Sequence, residues 1–225
     1  MFTGIVQACV PVTNVTRKQG LTSFCVRATK SWTKNLKYGA SVAVDGVCLT
    51  VVKIKGKEVS FDAMEETLRK TTIGMIKKGQ QINIERSVSF GDEIGGHIVS
   101  GHVSGIAHMV KVETKKNNHV ATFSVPAQWI KYIFPKGFIA FDGVSLTVVD
   151  VDREHHTCTV YFIPETLRRT TFGFKRAGDS VNFEIDSKTQ IIVDTHLRLM
   201  LTLWSRHGKA TLESGLLREC FTALT

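Results

Sequence analysis

The chain has 225 residues, 43% hydrophobic and 22% charged, which fits a globular protein of one large domain or two of about 100 residues and excludes a disordered chain. A formal charge of +9 raises nucleic acid as a partner, but the Lys and Arg residues are scattered and no aromatic–basic platform accompanies them, so a solvated basic surface is expected and no nucleic acid. The cysteines (Cys9, Cys25, Cys48, Cys158, Cys220) are odd in number, widely spaced and without a C-x-x-C, which argues against disulfides or a zinc knuckle and for reduced, small apolar residues.

Along the chain, Met1–Val6 has no basic n-region or long apolar run, and no stretch approaches the roughly 18 apolar residues of a membrane span. No signal peptide and no membrane are expected, and the location is expected to be cytoplasmic. Ser41–Val44 reads as a strand, Asp45-Gly46 as a turn, Leu49–Val52 as the next strand, and Val59–Phe61 as another after Gly56. Val, Ile, Thr and Phe dominate these runs, as strands prefer. Glu66–Thr72 (ETLRKTT) has few β-branched residues at its start and a Gly soon after, and reads as a short helical turn between strands. Lys111, Lys115 and Lys116 with Asn117 and Asn118 read as a turn.

The pattern then repeats. Residues 45–52 (DGVCLTVV) match 142–149 (DGVSLTVV) at seven of eight positions, offset by 97. Glu66–Thr72 matches Glu165–Thr171 at an offset of 99, and Gly74 and Gly79 match Gly173 and Gly178. Ile82–Glu85 matches Val181–Glu184, and Gly4-Ile5-Val6 matches Gly101-His102-Val103. The slip of two residues places an insertion near Arg153–His156. A period this long is no solenoid. The expectation is two domains, over 1–96 and 97–187, each all-β with short strands closing as a barrel or sandwich.

A helix is expected over 188–203. Gln190, Asp194 and Arg198 recur at i, i+4 on a polar face, and the wide apolar arc of Ile191, Ile192, Val193, Leu197, Leu199, Met200, Leu201 and Leu203 calls for a packing partner, another subunit being a good candidate. Residues 204–225 form a mixed tail with no assigned role.

The opening MFTGIV, both DGV-x-LTV blocks, both ETLR-x-TT blocks and Gly95–Val103 (GGHIVSGHV) together resemble riboflavin synthase of the homotrimeric α-chain type, from residue 1 to about 203. The resemblance implies tandem six-stranded Greek-key barrels plus a C-terminal trimerisation helix. It implies dismutation of two 6,7-dimethyl-8-ribityllumazine molecules, with four-carbon transfer, to riboflavin and 5-amino-6-ribitylaminouracil, the last step of riboflavin biosynthesis. It implies a reaction in which no metal or organic cofactor takes part. Each site is implied to lie between the N-terminal barrel of one subunit and the C-terminal barrel of a neighbour. Two matched pockets suit a reaction of two copies of one substrate, because holding reactants together removes up to roughly 7–11 kcal/mol of barrier.

The resemblance also implies the binding residues: Gly4, Ile5, Val6, Cys48, Leu49, Thr50, Asp62, Ala63, Met64, Glu65, Glu66 and Thr67 in the first barrel, and Gly101, His102, Val103, Lys136, Ser145, Leu146, Thr147, Phe162, Ile163, Pro164, Glu165, Thr166 and Leu167 in the second. Glu66, Thr67, Glu165 and Thr166 suit ribityl hydroxyls; the alternative is that they cap the helical turn. Catalytic candidates sit where the copies diverge: Cys48 against Ser145, Ile5 against His102, Ser41 against Phe138, and Ser87 against Asp186. His102 is a general acid/base by its ordinary pKa, or a polar strand residue. Cys48 is a nucleophile or a soft pocket contact. Ser41 and Asp186 match family positions implicated in catalysis and suit a water or hydroxyl adding at C7; Asp186 equally suits a helix cap. His97 and His102 would face opposite sides of a strand, so no shared metal is expected.

A rival class exists on the same scaffold: non-catalytic lumazine- and flavin-binding fluorescent antenna proteins. The presence of His102, Cys48, Ser41 and Asp186 favours the enzyme. A flavin-reductase barrel would need a nucleotide-binding loop such as G-x-G-x-x-G, and none occurs.

Overall fold

The computed structural model describes residues 1–115 and 118–207. The tip at Lys116-Asn117 and the tail from 208 onward, Cys220 included, lie outside the described residues. The first copy contains β1 (Ala8–Lys18), β2 (Leu21–Arg27), α1 (Lys30–Thr33), β3 (Ser41–Val44), β4 (Val47–Lys55), β5 (Glu58–Met64), α2 (Glu65–Lys70) and β6 (Gln81–Arg86). The second contains β7 (Gly105–Lys115), β8 (Asn118–Ser124), β9 (Phe138–Phe141), β10 (Val144–Asp152), β11 (Thr157–Phe162), α3 (Pro164–Arg169) and β12 (Ser180–Ile185). Each set closes into an antiparallel six-stranded barrel, in the order β1-β2-β5-β4-β3-β6 and its counterpart in the second copy. Closure leaves no free sheet edge.

Alternation drives the closure. In β5, Val59, Phe61 and Ala63 are buried while Asp62 and Met64 are exposed, the period of two that puts one face inward. The first core gathers Val10, Phe24, Val42, Val51, Phe61 and Ile84. The second is more aromatic, with Phe123 stacked on Phe141 at 4.0 Å and Phe162 on Phe172 at 4.7 Å. Each such buried side chain contributes roughly 1.5–3 kcal/mol of transfer free energy.

The turn signals form as the sequence predicts. Asp45-Gly46 and Asp142-Gly143 are two-residue hairpins with positive φ at both positions (44° and 80°; 44° and 75°), the geometry that Asp-Gly favours. Both ETLR blocks form one helical turn, followed by a 3-10 turn. The β4–β5 turn has Gly56-Lys57, whereas β10–β11 has Arg153–His156, so the insertion falls where the slip in the repeat places it. The thiols of Cys9, Cys25, Cys48 and Cys158 are free. Burial pushes the Cys158 thiol up to about 12.

The barrels join at a buried polar junction with two-fold pseudosymmetry. Asn83 donates from Nδ2 to the Asp142 carbonyl and accepts from the Thr171 N–H, while Asn182 donates to the Asp45 carbonyl and accepts from the Thr72 N–H. The Gly46 and Gly143 backbones touch; a Cβ on Gly46 would meet the Gly143 nitrogen at 2.7 Å. The symmetry breaks at one cation: Lys175 reaches Asp142 at 3.1 Å, and Ile76 stands at the matching position of the first copy. Burial and the nearby Asp142 raise the Asp45 carboxyl well above the ordinary range, and burial raises Asp142 as well. Burial works against the Lys175 cation, but Asp142 and Asp45 together outweigh it and hold its pKa above the usual value.

The C-terminal helix α4 (Ser187–His207) is a separate unit. It starts one residue before the expected span and runs on to His207, because no Gly or Pro interrupts Leu203–His207. Ile191, Ile192, Leu199 and Leu201 are 54–68% exposed, whereas Gln190 and Asp194 of the expected exposed polar face are half-buried. No helix among the described residues is long and apolar enough to cross a membrane.

Candidate functional site

The opening segment of each copy is not a strand, contrary to the sequence reading. Gly4 and Gly101 adopt φ of +75° and +81°, which turns the chain out of extended geometry. Both segments are held by a carboxylate on the last strand of their own barrel. Glu85 accepts from the Thr3 N–H and hydroxyl and from the Gly4 N–H at 2.6–3.0 Å; Glu184 accepts in the same way from Ser100 and Gly101. Burial raises the Glu85 pKa against the pull of these donors.

The segments then cross. The Cys48 N–H donates to the Gly101 carbonyl at 2.9 Å, and the Ser145 N–H donates to the Gly4 carbonyl at 2.8 Å. Phe2 and Val99 pair back to back between them, through bonds of 2.7 and 3.0 Å. Val103 packs on the core of the first barrel. This corrects the assignment by barrel: Gly101, His102 and Val103 belong with the first rim, and Gly4, Ile5 and Val6 with the second.

The first rim brings together Ser41, Cys48, Thr50 and Asp62 on neighbouring strands, with the Gly101–Val103 segment held against Cys48. Cys48 and Thr50 are two apart on β4, so they share its outer face, and Ser41 is the register partner of Thr50. Leu49 and Ala63 point inward and are buried; their contribution to a ligand is limited to backbone and rim shape. His102 is exposed, and its N–H donates to Ser100 Oγ.

The second rim brings together Phe138, Ser145 and Thr147 on neighbouring strands, with the Gly4–Val6 segment held against Ser145. Leu146 and Phe162 are its buried counterparts of Leu49 and Ala63. A residue that the sequence reading weighed only as a metal ligand sits here. His97 is 8% exposed, its Nδ1 lies 2.7 Å from Ser145 Oγ, and its ring stacks on Phe138 at 5.2 Å. Burial lowers its pKa, partly countered by the negative charge of Asp186. The signal was present in GGH: a Cβ on Gly96 would strike the Thr3 carbonyl at 2.2 Å and Ser145 Cβ at 2.7 Å, so a side chain there would displace the segment that carries His97. Among the described residues no group of three or more His, Cys, Asp or Glu side chains gathers as a metal site.

The helical turns differ in their electrostatics. Neither Glu66 and Thr67 nor Glu165 and Thr166 cap α2 and α3; the N-cap positions are Met64 and Ile163, with no side-chain bond. Thr71 and Thr170 instead cap the 3-10 turns that follow, accepting from Ile73 and Phe172. Glu66 pairs with Lys70 at 2.7 Å, which lowers its pKa. Glu165 is held by both Arg169 and Arg168, which lower its pKa in that order. Glu65, Pro164 and Leu167 complete these turns.

Lys136 marks strain. Its φ is +68°, and the matching residue of the first copy is Gly39 at +80°. A non-glycine residue there costs about 1–3 kcal/mol. Lys136→Gly is expected to raise the midpoint of thermal unfolding, which calorimetry checks.

Fold and rims define a class: proteins built of two lumazine-binding domains in tandem. A family profile described as lumazine binding domain matches residues 3–87 and again 100–186. The chain is 46% identical over 201 residues to riboflavin synthase of Escherichia coli K12, covering 89% of this chain and 93% of that protein. It is 43% identical over 200 residues to riboflavin synthase of Chlamydia pneumoniae, covering 89% and 97%. The crystal structure of LumP complexed with riboflavin superposes with a TM-score of 0.76 at 24% identity, covering 83% of this chain and 100% of that one. LumP complexed with 6,7-dimethyl-8-(1'-D-ribityl) lumazine gives 0.74 at 23% identity, covering 82% and 98%. The chain belongs to the riboflavin synthase family.

Proposed function

We propose that the protein dismutates two molecules of 6,7-dimethyl-8-ribityllumazine to riboflavin and 5-amino-6-ribitylaminouracil, acting as a homotrimer in the cytoplasm. The observation that carries the reading is the pair of crossed rims, alike where backbone and Thr meet a ligand and unlike at Cys48/Ser145, His102/Ile5 and Ser41/Phe138.

The chemistry requires proton removal from the C7 methyl of one lumazine and addition of a nucleophile at C7 of the other. His102 follows Gly101, whose carbonyl accepts from the Cys48 N–H, and its exposed imidazole suits proton transfer at this rim. At the other rim the Ser145 hydroxyl lies 2.7 Å from His97 Nδ1, a pair suited to orienting a hydroxyl-sized nucleophile. Phe2, Ala43, Val99 and Ala140 form a buried cluster, with Cys48 packed on its edge. That buried contact supports a reading in which stacked substrates take their rims from two chains. The exposed apolar residues of α4 supply a surface for that assembly.

The test mixes purified protein with the lumazine and nothing else. Loss of two lumazines per riboflavin formed is expected. Ligand bound without turnover would instead establish the antenna reading.

A further inference from the structure

The junction between the barrels holds two buried carboxylates and, among the described residues, one paired cation. Asp45 and Asp142 are 4% and 1% exposed. Each opens an Asp-Gly hairpin, and each Oδ1 accepts at 2.7 Å from a backbone N–H on the last strand of its own barrel, that of Asn83 or of Asn182. The Lys175 ammonium lies 3.1 Å from Asp142 Oδ2 and donates to the Ser180 carbonyl at 3.0 Å. The first copy has Ile76 in place of Lys175, buried in its core. An unpaired carboxylate is costly to bury, and such a group keeps a proton instead. Gly46 and Gly143 touch across the junction, and Cys48 and Ser145 follow two residues later. The contact therefore sets how the starts of β4 and β10 are spaced.

We propose that the junction is a clasp closed by one proton: Asp142 is the carboxylate that pairs with Lys175, and Asp45 is a neutral carboxylic acid whose ionisation weakens the contact between the two turns. Burial, and after it the charge of Asp142, opposes ionisation of Asp45 more than Lys175 and the Asn83 N–H favour it. The surrounding elements supply no second counter-charge. On β1 the Cys9 thiol is pushed up to about 11 by burial and then by the charge of Asp45, and so stays neutral. Asp179, just before β12, adds negative charge that opposes ionisation of Asp142. On β6 and β12 the carboxylates Glu85 and Glu184 are bonded to the opening segments. The 3-10 turns packed on those strands hold only Thr, Ile, Gly, Met and Phe, and β3 and β9 carry no ionisable side chain. The clasp is independent of which ligand the rims hold.

In the unfolded chain Asp45 loses its proton near the ordinary 3.8, whereas in the fold it keeps it. The stability that this group contributes is therefore full in acid, falls as pH rises above the unfolded value, and levels off once Asp45 ionises in the fold. The test unfolds the whole protein and Asp45→Asn with urea at fixed protein concentration, from about pH 5 to about pH 8. Asn-Gly favours the same hairpin, and the amide oxygen accepts from the Asn83 N–H as the carboxyl does, so only the proton is removed. The unfolding constant of the wild type is expected to rise relative to that of Asp45→Asn by up to about tenfold per pH unit. A ratio that stays constant across the range overturns the clasp, because Asp45 would then be ionised in both states. Lys175→Met is expected to steepen the fall, since Asp142 then needs a proton too; an unchanged slope overturns the pairing assigned to Asp142. Should Asp45→Asn not fold, the infrared spectrum of the wild type at about pH 7, where ordinary carboxyls are ionised, decides: the carbonyl stretch of a protonated carboxylic acid is expected, and its absence overturns the clasp.

Discussion

Gly101→Ala is expected to abolish most turnover while leaving a protein that folds with reduced stability. The φ of +81° strains any other residue, and a Cβ would lie 2.5 Å from Cys48 Cβ and 2.9 Å from the Phe2 ring. Left-handed strain costs about 1–3 kcal/mol, and overpacking adds about 1–3 kcal/mol. The kinetic effect comes from position. Gly101 holds Cys48 through its carbonyl and Glu184 through its N–H, so a shift there moves His102 relative to Cys48. Misplacing reacting groups by about 1 Å costs on the order of a hundredfold in rate. Gly79→Ala is the control. Its φ is +86° with nothing within 4 Å of the added Cβ, so it should lose stability with little change in rate. Thermal unfolding and steady-state turnover of both variants separate strain from contact. Equal activity of the two would show that the crossed segment does not position the site.

Ending the chain after Asp186 is expected to give folded monomeric barrels that bind lumazine and turn it over at least about a hundredfold more slowly. Residues 1–186 form a compact unit of their own, with both cores and the junction inside it. What is lost is the apolar surface of α4, where Ile191, Ile192, Leu199 and Leu201 stand exposed in the single chain. Burying each against a neighbour would contribute up to roughly 1.5–3 kcal/mol. Without it, pairing of two rims becomes bimolecular and loses its effective concentration. Light scattering should give the monomer mass, and the residual rate per chain should rise with protein concentration. A truncated protein that remains oligomeric and fully active would remove the helix from the proposal.

The barrels were legible because their causes are local. Alternation in β5, the Asp-Gly hairpins and the Gly after each helical turn act within a few residues, and the duplication exposed them twice. The repeated DGV-x-LTV and ETLR blocks were legible for the same reason. The rim to which each opening segment belongs was not. Gly4 and Gly101 lie next in sequence to their own barrels, and nothing local says that their carbonyls accept from Ser145 and Cys48. His97 escaped because it has no partner in the first copy, where the matching position would precede Met1.

Sequence by itself determined the two-barrel architecture, the turns, the family and the divergent pairs Cys48/Ser145 and His102/Ile5, since each follows from short-range backbone preference or from comparison of the copies. Only the tertiary structure decided the crossing of the opening segments, the His97–Ser145 contact and the Lys175–Asp142 ion pair at the junction. These depend on strand register and on polar contacts between residues 48 and 137 positions apart, which no local pattern in the sequence encodes.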